Sequence, residues 1–96
     1  MSLLVRPEAR HDILSAMNWY ETRELGLGAQ FLAEVDAVFE RIVNRPESYA
    51  KTHGPFRRAL TRRFPFATYF KSQDDDLIVF AVLHQRLDRG VLDRRS

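Results

Sequence analysis

The sequence predicts an α+β fold in which an N-terminal α-hairpin packs on one face of a small, mainly antiparallel sheet. Three observations lead there and together give the order β-α-α-β-β-β. Residues 56–86 break into three strand-like runs separated by two short gaps. Residues 7–45 carry two apolar stripes at three- and four-residue spacing, parted by Gly26 and Gly28. A separate apolar run, Leu3-Leu4-Val5, precedes both.

Leu3-Leu4-Val5 is short and ends at Arg6-Pro7, which suits a first strand added to the edge of the later sheet. Pro7 fits the first turn of a helix, where its missing N–H costs nothing, and Glu8 is favourable at that positive end. Ala9, Ile13, Ala16 or Met17, and Tyr20 then form one apolar stripe. Gly26 and Gly28 bracket Leu27 and predict a helix stop with a tight turn. A second stripe follows at Phe31, Val35, Val38, Phe39 and Ile42, and Pro46 ends this helix at or before Arg45. Two helices joined by so short a link run antiparallel. Residues 47–55, with Tyr49, Gly54 and Pro55, read as a loop into the sheet.

The first run of the sheet spans residues 56–62 and carries Arg57, Arg58 and Arg62. Arg63-Phe64-Pro65 marks a turn, because proline cannot donate inside a ladder. Residues 66–70 are aromatic and β-branched, and residues 73–76 form an acidic hairpin tip. Residues 77–84 are almost wholly apolar and are expected to be the buried central strand of a three-stranded meander. The charged stretch after Arg86, LDRGVLDRRS, reads as a frayed end or a terminal turn, the plainer reading being a partly disordered terminus.

Ninety-six residues make one domain, residues 1–96, large enough for a single modest core. Hydrophobic residues at 45 % and charged residues at 29 % are ordinary for a soluble globular chain. The absence of cysteine excludes disulfides and thiolate metal sites, and no apolar run reaches the ~20 residues that span a bilayer. Cytoplasmic localisation is the expectation. Net charge is only +2, yet residues 1–50 sum to −3 and residues 51–96 to +5. Thirteen of the fifteen basic residues are arginine, the cation suited to bidentate contact with carboxylate or phosphate. The basic half is expected to face an acidic protein or nucleic acid, set against the plainer reading of a solvated arginine-rich face.

His84 closes the last strand run, Arg86 follows two residues on and is expected on the same face of the pleat, and Arg58 and Arg62 are expected on a neighbouring strand. A histidine moving a proton beside arginines that stabilise a phosphorane would suit RNA cleavage. A structural histidine at a strand end is the plainer alternative. Of Trp19 and Tyr20, one belongs in the core and the other at the helix–sheet seam. Asp74-Asp75-Asp76 lacks the glycine of a calcium loop, and His11, His53 and His84 lack zinc-ligand spacing. No metal and no cofactor are expected.

Taken in order, these elements and residues resemble the RelE/ParE superfamily of bacterial type II toxin–antitoxin toxins, found among plasmid-stabilisation systems. The resemblance covers nearly the whole chain: Ala9-x-x-Asp12-Ile13, Trp19-Tyr20-Glu21, Gly26-Leu27-Gly28, Phe31-Leu32, Pro46, Arg57-Arg58, Phe64-Pro65-Phe66 and Val82-Leu83-His84-x-Arg86. It implies the same β-α-α-β-β-β layout. RelE-like members cleave messenger RNA on the ribosome with basic sheet residues and a C-terminal aromatic. ParE-like members lack that set and arrest growth by binding and poisoning DNA gyrase.

Here the nuclease arginine of the third strand resembles Ala67 in position, and the C-terminal tyrosine resembles Leu92. The Trp-Tyr-Glu, Gly-Leu-Gly and Phe-Pro-Phe elements favour the ParE-like branch. The alternative is a ribosome-dependent endoribonuclease, for which Arg58, Arg62, His84 and Arg86 are the catalytic candidates. A third reading is a member without toxicity that only binds an antitoxin. All three imply a cognate acidic antitoxin that folds on binding, with operator DNA reached only through it. Arg57, Arg58, Arg62, Arg63, Arg86 and Arg89 are the candidates for contact with antitoxin or target. Isolated toxin is expected to be poorly soluble or to self-associate, and co-expressed antitoxin to correct this.

Overall fold

A computed structural model describes residues 2–86 and 90–95. The elements are β1 (Leu3–Val5), α1 (Pro7–Arg23), α2 (Leu27–Asn44), β2 (Lys51–His53), β3 (Phe56–Leu60), β4 (Phe66–Gln73), β5 (Asp76–His84) and α3 (Gly90–Arg95). One five-stranded sheet runs in the order β1-β5-β4-β3-β2. The expected meander is β3-β4-β5, antiparallel throughout, and β1 adds to its edge in parallel with β5.

Pro7 occupies the first turn of α1, with Glu8 beside it, and α2 gives way to Arg45-Pro46. Gly26 turns the chain between the helices at φ +89°, a left-handed conformation that favours glycine. Gly28 serves another purpose. It lies buried inside α2, where a Cβ would come within 2.8 Å of the Met17 carbonyl oxygen. The missing side chain is what lets the two helices approach so closely. The Glu21 carboxylate accepts the N–H groups of Gly26 and Gly28, both at 2.9 Å, and so caps the orphan donors at the start of α2.

Those two backbone donors hold the Glu21 carboxyl below the usual carboxylate range. Its folded value lies under its unfolded one, so the capping stability is present above the unfolded value and fades as pH falls through the folded one. Urea midpoints measured across acidic pH are expected to fall less steeply for Glu21→Gln than for the native chain. Equal slopes would remove Glu21 from the acid response.

The hairpin-facing side of the sheet holds the larger core. Ile13, Phe31, Val35, Val38 and Ile42 meet Phe70, Leu77, Val79 and Val82, all buried. Thr68 lies in the same layer, fully buried, and its hydroxyl has no hydrogen-bond partner. Thr68→Val keeps the shape and removes that desolvated group, so it is expected to stabilise by ~1 kcal/mol. Chemical denaturation reads this directly, and a loss of stability would overturn it.

The sheet differs from its sequence reading in three places. β5 was expected at the centre, but β2 adds outside β3, so β4 is the middle strand. The supposed loop at 47–55 contains a 3₁₀ turn, Pro46–Ser48, and the strand β2. The supposed frayed tail contains α3, with Leu92 fully buried and Val91 packed beside it. This short helix helps build a second apolar layer on the sheet's other face, with Phe56, Ala67, Tyr69, Phe80, Ala81 and Leu83. A bulge makes that layer possible. Tyr69 pairs with Ala81 and Phe70 with Val79, which leaves Phe80 as an extra residue in β5. Phe80 and Ala81 consequently fall on the same side.

Candidate functional site

β1 is only three residues long, and its ladder with β5 stops at Val5 opposite Val79. Beyond that point no strand among the described residues lies beside that edge of β5. Side chains take over part of that edge: the Asp12 carboxylate accepts the Val82 N–H at 3.0 Å, and Arg95 donates to the Phe80 carbonyl at 3.2 Å. Asp12 and Arg95 also bind each other through two contacts of 2.6 and 2.9 Å, both side chains largely buried. Hydrogen bonding to Asp12, more than its charge, holds the Arg95 guanidinium above its ordinary range. Sequence reasoning missed this clamp. Its partners lie 83 residues apart, and its cationic end sits in the stretch read as a tail.

Past Val82 the edge borders an apolar groove of about 500 Å³ between α1 and the end of β5. Ala16, Trp19, Tyr20, Phe66, Val82 and His84 are among its walls. Trp19 is 52 % exposed at the rim, with the Arg23 guanidinium 4.3 Å from its ring centre. Tyr20 turns inward against Phe31, Phe64 and Phe66, and burial raises the pKa of its phenol. The expected division of this pair between core and seam is therefore what the structure shows.

His84 stacks edge-on to Phe66 at 5.6 Å, and its Nδ1 accepts the Arg86 N–H at 3.1 Å. β5 ends at His84, so Arg86 lies in the following turn and does not share a pleat face with it.

The remaining candidates are dispersed. Arg57 faces the hairpin side and donates to the Tyr49 carbonyl at 2.6 Å. Arg58 pairs with Tyr69 on the opposite side, its Nε buried without a partner. β3 stops at Leu60, which leaves Arg62 and Arg63 in the turn before β4, against α2 rather than beside His84. Arg89 lies outside the described residues. Arg58, Arg62 and His84 thus occupy three different places, with β4 between β3 and β5. Ala67 is fully buried in the outer layer, and Leu92 is a packing residue of α3. Among the described residues no cluster of three or more His, Asp or Glu side chains is placed to hold a metal ion, and no helix is long and apolar enough to cross a membrane.

No protein-family model matches this sequence, and no curated protein matches it. Among solved structures, a chain of the "Chromosomal ParDE TA system from P. aeruginosa" superposes with a TM-score of 0.66 at 17 % identity. The match covers 88 % of this chain and 95 % of that one. This chain thus shares its fold with that chain of the ParDE system.

Proposed function

We propose that this protein is the toxin of a type II toxin–antitoxin module, acting by binding and poisoning DNA gyrase in the cytoplasm and neutralised by a cognate antitoxin. The observation that carries the reading is the shared fold with the ParDE chain over 88 % of the sequence. The dispersal of Arg58, Arg62 and His84 favours binding over chemistry, because general acid–base catalysis needs its groups within hydrogen-bond reach of one reacting centre. The arginine expected of a nuclease at the third strand is replaced by a buried alanine, Ala67.

The antitoxin on this reading is an acidic amphipathic segment, disordered when free. Its apolar side chains fill the Trp19–His84 groove, and its backbone reaches the edge of β5 that no described strand covers. The same complex would carry operator binding and plasmid stabilisation through the antitoxin. Purified gyrase is the test. Added protein is expected to inhibit supercoiling and trap cleaved DNA, and antitoxin to reverse both. No effect at large excess would overturn the reading. Ribosome-dependent cleavage of messenger RNA that is lost in His84→Gln would replace it with the nuclease alternative.

A further inference from the structure

Arg62 and Arg63, named above among the candidates for contact with antitoxin or target, lie with Arg41 between α2 and the β3–β4 turn, in a groove other than the one at Trp19 and His84. Arg41 reaches across to the Leu60 carbonyl at 3.0 Å, and Arg63 to the Gln30 side-chain oxygen at 2.8 Å. Both guanidinium groups are thus held by neutral acceptors, so their charge is fixed in place but not neutralised. The exposed Arg62 guanidinium has no partner among the described residues. Between these arginines runs a shallow groove of about 290 Å³ with Ala33 and Ala37 among its walls, so no bulky side chain blocks it.

The one acidic group lining it shows what the groove accepts. Glu34 Oε1 takes the consecutive N–H groups of Arg62 and Arg63, at 3.1 and 3.3 Å. Successive backbone donors aimed at one point form an anion nest. The nest here holds a carboxylate from the chain itself, while among the described residues the arginines around it form no ion pair.

We infer that this groove docks an acidic protein segment, one of whose carboxylates exchanges with Glu34 in the nest while a second pairs with Arg62 and Arg63. The forked guanidinium suits bidentate contact with carboxylate. Nucleic acid fits less well. Its affinity comes from neutralising many phosphates along a track, and this patch is short and flanked by Asp36 and Glu40 on α2. The inference does not depend on the gyrase reading, because a synthetic peptide tests it.

The full-length protein, labelled with ¹⁵N, would be titrated with hexaglutamate. The largest amide shifts are expected at Arg62, Arg63 and Glu34. Arg62→Gln combined with Arg63→Gln is expected to weaken binding about tenfold, the loss of one charge-assisted contact or more. Arg94→Gln, on α3, leaves it unchanged. Glu34→Gln keeps an acceptor for the turn but removes the resident charge, so it is expected to tighten binding. Shifts scattered away from the turn would overturn the site, and unchanged binding in Glu34→Gln would overturn the exchange. An oligothymidine of similar charge that binds the same amides more tightly would overturn the choice of a protein segment.

Discussion

Phe31→Ala is expected to destabilise the protein by about 3–5 kcal/mol, the range for emptying a large aromatic site in a closed core. Phe31 is fully buried and stands at the centre of an aromatic cluster, with ring centres 5.4 Å from Tyr20, 5.3 Å from Phe64 and 5.0 Å from Phe66. Its removal takes away apolar burial and three ring contacts together. Those neighbours come from α1, the β3–β4 turn and β4, elements held by their own hydrogen bonds, so the space cannot close fully. Against a total stability of ~5–15 kcal/mol, that loss leaves a marginal fold. Guanidinium unfolding checks it, with Trp19, the single tryptophan, reporting from the next residue to Tyr20. A loss under ~1 kcal/mol would mean that the cluster repacks and does not hold the hairpin to the sheet.

Asp12→Ala is expected to cost about 3 kcal/mol, near the lower end for breaking a largely buried ion pair by removing one partner. The carboxylate serves three donors at once: two guanidinium nitrogens of Arg95 and the Val82 N–H. Without it, Val82 loses its acceptor and Arg95 loses its counter-charge. Arg95 sits at the end of a six-residue helix, so it can swing into water, which keeps the penalty from rising further. The consequence is release of α3, and with it Leu92 from the outer layer. The melting temperature is expected to drop by ~15 °C for a domain of this size. Hydrogen exchange at Val91 and Leu92 should rise before global unfolding. Arg95→Met alone leaves the Asp12 carboxylate, the more buried partner, without its counter-charge, so its cost is expected to match that of Asp12→Ala. Asp12→Asn combined with Arg95→Met strands no charge, keeps an acceptor for Val82 and should be milder. A cost in that double variant equal to that in Asp12→Ala would show that packing of α3, and not the ion pair, sets the effect.

The clamp marks the boundary of what could be read beforehand. The helices were legible because each buries a stripe on one side: Ala9, Ile13 and Ala16 on α1, and Phe31, Val35, Val38 and Ile42 on α2. The three meander strands were legible because an aromatic, β-branched run and an all-apolar run stand between turn residues. The edge position of β1 followed from a three-residue apolar run ending at proline. β2 was not legible, for Lys51-Thr52-His53 has no apolar alternation and is ordered by pairing with β3. α3 was not legible either: GVLDRR has too little local preference to nucleate a helix, and its order comes from burying Leu92 and pairing Arg95.

The candidate site divides in the same way. Charge asymmetry and the arginine content pointed to the basic residues as candidates, and spacing placed His84 at a strand end, where the structure has it. Alternation then failed at two points. β3 ends before Arg62, and β5 before Arg86, so both arginines leave the faces that a period of two assigns them. The sequence by itself determined the α+β class, the hairpin and the antiparallel core, because these follow from local periodicity and from punctuation by glycine and proline. The tertiary structure alone decided which polar groups meet: Asp12 with Arg95, Glu21 with the start of α2, and Glu34 with the Arg62–Arg63 turn. Such pairings depend on distances between residues far apart in the chain, which no local pattern encodes.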